Sequence, residues 1–105
     1  MPFYRHFGWR QTSMPAFVVE RSLPGLSIRH LTVLQHALAE ASRRLTASGS
    51  HVRYRGTMFL PSRSRSICLF DAPSADLVKL VNETAQVPFV AITEAIEVSG
   101  PEASF

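Results

Sequence analysis

The chain has 105 residues, 46% of them hydrophobic and 18% charged; that length suits one domain with a modest core, and that mixture excludes a disordered chain. No apolar run reaches the length of a membrane span, and a single cysteine, Cys68, excludes an internal disulfide and points to a reducing cytoplasm. The net charge is +3, but setting residues 1–13 aside leaves nine basic against eight acidic side chains, too even a balance for a nucleic-acid surface.

Residues 1–13 read as an appended extension, with Phe3, Tyr4, Phe7 and Trp9 among Arg5, His6 and Arg10. They lack the apolar stretch and small-residue cleavage site of a secretory signal. Met14 offers an alternative start, so the extension is either upstream sequence or an aromatic packing arm. Residues 14–98 form the domain, and 99–105 a loose tail.

Within the domain, residues 17–21 (FVVER) form a first strand, and Pro24-Gly25 marks a turn. Ser27 suits a helix N-cap. Leu31, Leu34, Leu38, Ala41 and Leu45 then recur at three- and four-residue steps, predicting a helix to about Ala47 with one apolar face. Gly49 ends it. Residues 51–60 alternate: Val52, Tyr54, Met58 and Leu60 on one side, Arg53, Arg55, Thr57 and Phe59 on the other, with Gly56 among the first set. A hairpin turn over 61–64 leads to residues 65–70 (RSICLF), apolar enough on both faces to be central. Ser74 caps a second helix with Leu77, Val78, Val81 and Ala85 as its stripe, and residues 89–98 form the last strand.

The order strand, helix, strand, strand, helix, strand predicts an α+β fold of ferredoxin-like type: a four-stranded antiparallel sheet with two helices on one face. Its other face is then bare, and a bare apolar sheet is rarely tolerated by a monomer. The expectation is a homodimer with sheets face to face, a dimeric α/β barrel enclosing a small-molecule or anion site, with no nucleic-acid or membrane partner.

Few residues carry chemistry. Glu94 falls on the strand face of Val90, Ile92, Ile96 and Val98, where a carboxylate costs several kcal/mol (roughly) unless paired; it is expected to be buried, either as a structural carboxylate or as a cavity acid or base. Glu20 is a second acid, on a strand that neighbours the last one in this fold. Tyr54 offers a hydroxyl, and Arg55 a cation within a run from Glu40 to Asp71 that has six arginines and no acid. That run is either a solvated face or an anion site. Cys68, inside the most apolar strand, reads as a small hydrophobe. The ligand-binding set is therefore Glu20, Tyr54, Arg55, Cys68 and Glu94. His30 and His36 do not share the i, i+4 spacing of a metal pair, and His51 stands apart, so no metal set is expected within one chain. A second reading is a cofactor-free isomerase, cyclase or monooxygenase-like enzyme with Glu94 as base, by analogy of fold.

The stretches FVVERSLPG (17–25), the strand at 52–58, ICLFDAP (67–73) and VPFVAITEAIEV (87–98) resemble a bacterial family of small domains that includes a nickel-binding protein. The resemblance implies the same α+β fold, a dimer and metal binding. Relatives of the nickel-binding type commonly have a histidine about where Gly56 stands and another near Val81. Neither glycine nor valine replaces an imidazole toward nickel, so nickel as a cofactor is implied by the resemblance without the ligands that usually hold it.

Overall fold

A computed structural model describes residues 14–23 and 27–98. The expected extension (1–13), tail (99–105) and Pro24-Gly25 turn lie outside the described residues. The elements are β1 (Ala16–Ser22), α1 (Ile28–Ala47), β2 (Arg53–Leu60), β3 (Arg65–Asp71), α2 (Ala75–Thr84) and β4 (Ala91–Ala95). The strands form one sheet in the order β2-β3-β1-β4, every neighbour antiparallel. This is the ferredoxin-like α+β arrangement, with β3 central as its apolar run predicts.

Local chemistry sets the helix starts. The Ser27 hydroxyl accepts from the His30 amide, and His30 Nδ1 accepts from the Ser27 amide, a reciprocal cap in which histidine replaces the usual acid. Ser74 accepts from the Leu77 amide, with Asp76 placed favourably in the first turn of α2. Leu31, Leu38 and Ala41 of α1 are buried, as are Val78 and Val81 of α2. They cover the sheet face that carries Phe17, Val19, Cys68 and Phe70.

Two strands depart from the alternation read in the sequence. In β2 the register slips between Tyr54 and Gly56: Tyr54 faces Phe70, but Thr57, not Gly56, faces Cys68. Gly56, at φ +148°, makes this bulge possible. Thr57 and Phe59 thus join Tyr54 on the helix-covered face, while Met58 and Leu60 turn to the open one. The last strand, expected over 89–98, is only five residues long. Among the described residues its neighbour is β1 alone, and their pairing ends at Ala16↔Ala95.

Candidate functional site

Beneath the helices lies a buried polar chain. Arg21 shares the inward parity of Phe17 and Val19 and is only 1% exposed. Its guanidinium donates to the Pro88 carbonyl (2.8 Å), the Asn82 Oδ1 (2.8 Å) and the Cys68 Sγ (3.4 Å). No carboxylate pairs with it among the described residues. Asn82, fully buried on α2, is held in turn by donating to the Val78 carbonyl (2.8 Å). The chain continues from Cys68 to Thr57 Oγ1 (3.1 Å), on to the Tyr54 hydroxyl, and out to Gln35 Oε1 (3.0 Å) on the exposed side of α1.

Its direction follows from proton counting. An amide oxygen only accepts, so Tyr54 donates to Gln35. With that proton committed, Thr57 must donate to Tyr54 and Cys68 to Thr57. Arg21, a donor only, closes the inner end on the sulfur. Cys68 is thus a buried thiol whose proton is directed to Thr57. Burial pushes the Tyr54 phenol above its ordinary pKa, against the bond from Thr57 that lowers it. Ser66, opposite Arg21 on β3 and 1% exposed, has a hydroxyl oxygen without a hydrogen-bond partner.

The open face of the sheet is different in character. Val18, Ile67, Leu69 and Leu60 lie half-buried on it, and Met58 is 69% exposed. Glu20 stands among them with Arg65, 3.6 Å away. Arg55, the extra residue of the bulge, reaches Glu97 at 2.9 Å and Asp71 at 3.4 Å. The bond to Glu97 raises the Arg55 pKa, and the same guanidinium lowers that of Glu97.

The five candidate residues therefore do not converge. Tyr54 and Cys68 are joined through Thr57 under the helices, while Glu20 belongs to the opposite, open face and Arg55 bridges β3 and the segment after β4. Glu94 corrects an expectation: it is exposed on edge strand β4, opposite Phe17, not buried in an apolar face. Its presumed apolar neighbours Val90, Ile96 and Val98 are exposed too, because β4 is short and no strand lies beyond it among the described residues. Glu20 pairs with Ala91, three positions and one face away from Glu94, so the two acids are not neighbours. The sequence reading missed Arg21 and Asn82. Their signals were present: Arg21 keeps the alternation of Phe17 and Val19, and Asn82 stands four residues after Val78 on the inner stripe of α2.

A profile described as nickel responsive protein, SCO4226-like, matches residues 17–95. The chain belongs to this family. Its fold is shared with the crystal structure of SCO4226 from Streptomyces coelicolor A3(2), at a TM-score of 0.69 and 20% identity, over 80% of this chain and 99% of that one. No curated protein matches the chain.

Nickel fits poorly onto one SCO4226-like chain of this sequence. His30 is engaged in the α1 cap, and His36 and His51 are exposed and separate. No group of three or more His, Cys, Asp or Glu side chains comes together among the described residues. Gly56 is committed to the bulge and Val81 to the core. Nor is any helix among the described residues long and apolar enough to cross a membrane.

Proposed function

We propose that the protein is a homodimeric ligand-binding module whose two copies pack their open sheet faces together and enclose a small cavity. The observation that carries this reading is the uncovered face of Val18, Ile67, Leu69 and Met58. An apolar patch of that kind marks an interaction surface, and a two-fold axis lets one copy's patch serve as its own complement. Glu20 and Arg65 supply charges of both signs on the same face, so a rotated copy meets opposite charge at its rim. The ligand is a small molecule or an anion met by Glu20, Arg65 and Arg55 around apolar walls, the usual composition of such pockets. Nickel enters through family membership: a site for it requires donors from two copies. A single, buried cysteine supports a reducing cytoplasm as its setting.

Sedimentation velocity at micromolar concentration tests the dimer. The wild type should sediment as a dimer and Leu69→Arg as a folded monomer, since that position points away from the helix-covered core. A monomeric wild type would refute the face-to-face arrangement and the cavity with it.

A further inference from the structure

The two edges of the sheet differ in charge. At one, α1 and β2 pack together and hold Arg29, Arg43, Arg44, Arg53 and Arg55 against a single acid, Glu40. At the other, α2 and β4 pack together and hold Asp76, Glu83 and Glu94 against a single base, Lys79. None of these four has an ion-pair partner among the described residues. The acidic edge also carries uncovered apolar side chains. Ile96 and Val98, which follow β4, are 87% and 83% exposed, more than any other large apolar side chain of the described residues. The last ladder pair, Ala16↔Ala95, sets the start of β1 one strand spacing, about 5 Å, from the end of β4. The chain therefore enters the domain beside Ile96. The start of α2 lies at this same end, since β3 finishes at Asp71, opposite Ala16.

Residues 1–13 have the chemistry that this surface lacks. They hold Phe3, Tyr4, Phe7 and Trp9 together with Arg5 and Arg10, and no acid. A segment of that length reaches up to about 45 Å, so length restricts little and charge decides. The arginines of α1 and β2 repel it, the open sheet face offers Glu20 and Arg65 of opposite sign, and Asp76, Glu83 and Glu94 attract it. We propose that residues 1–13 dock on the acidic edge of their own chain, with aromatic side chains against Ile96 and Val98 and with Arg5 and Arg10 toward Asp76, Glu83 and Glu94. The tether keeps the segment at high effective concentration, so modest contacts suffice to hold it. Docked there, it shields the outer edge of β4, where a strand from another molecule would otherwise add.

Trp9 is the only tryptophan, so its fluorescence in the full chain reads this segment directly. In dilute wild type the emission should lie to the blue of a free indole and resist quenching by acrylamide, as a packed ring does. Ile96→Asp combined with Val98→Asp should move it to the free-indole position; both side chains are exposed, so the domain keeps its fold, which the far-ultraviolet spectrum checks. Glu94→Lys should shift it partway, and raised salt should weaken the docking without abolishing it. Leu69→Arg, on the open face, should leave the emission unchanged. A free-indole emission in wild type, an emission unmoved by the paired Ile96 and Val98 substitutions, or a red shift in Leu69→Arg would each overturn the proposal. So would a blue shift that disappears on dilution, which would place the segment on a second copy.

Discussion

Asn82 answers a positive charge rather than filling space. Arg21 is buried with amide and carbonyl oxygens as its main partners, so removing the Asn82 oxygen leaves two guanidinium N–H groups facing little but sulfur. Asn82→Leu is expected to cost about 2–3 kcal/mol in urea-induced unfolding, the penalty for orphaning a buried donor on a charged group. A variant within experimental error of wild type would show that water or Ser66 takes over the contact. Tyr54 makes a second prediction, in pH. Its folded pKa is raised, chiefly by burial, so the folded state holds the phenol proton more tightly than the unfolded chain. That contribution is complete below the unfolded value of about 10 and is lost as pH rises through the folded value. The difference in stability between wild type and Tyr54→Phe should therefore change with a downward slope above about pH 10 and stay flat near neutrality. A flat difference throughout would remove the claim.

The bulge is where element-level reading succeeded least. Strict alternation from Val52 to Leu60 assigns Met58 to the face of Tyr54, and one inserted residue reverses every position after it. Nothing in the pattern marks the slip except Gly56, which a plain strand would not need. The order of elements, both caps, the central place of β3 and the inner stripes of both helices were legible because each rests on a local rule: periodicity, capping or apolar run length. Glu94 was misplaced for a non-local reason, since its exposure follows from the place of β4 at the edge of the sheet, which no local pattern marks. The convergence of Arg21, Cys68 and Asn82 depends on three elements at once and is invisible to any one of them. Gly56→Ala tests the bulge. The added methyl meets no atom within 4 Å, so the penalty is conformational alone, about 1–3 kcal/mol for a non-glycine residue held at that φ. Loss of stability in this range with unchanged amide shifts elsewhere is the expected outcome, and a neutral substitution would show that the backbone leaves the positive-φ region.

At the scale of the whole molecule, the fold that this chain shares with SCO4226 leaves the metal question to assembly. One chain offers no cluster of three potential ligands among its described residues, and a two-coordinate pair of imidazoles or carboxylates is a weak site for nickel. In the proposed dimer each donor on the open face would be present twice, Glu20 among them. Nickel binding, measured by equilibrium dialysis, is therefore expected to follow the dimer: present in wild type, reduced when Glu20→Gln removes one donor per copy, and lost in the monomeric Leu69→Arg even though that residue is no ligand. Because ligands must give up protons before they coordinate, the affinity should also fall as pH drops through the carboxylate and imidazole ranges. Retention of nickel by Leu69→Arg would locate the site within one chain, against the scatter of His30, His36 and His51. Absence of nickel from a confirmed wild-type dimer would show that the substitution of glycine and valine at the expected histidine positions removed the metal while the fold was kept.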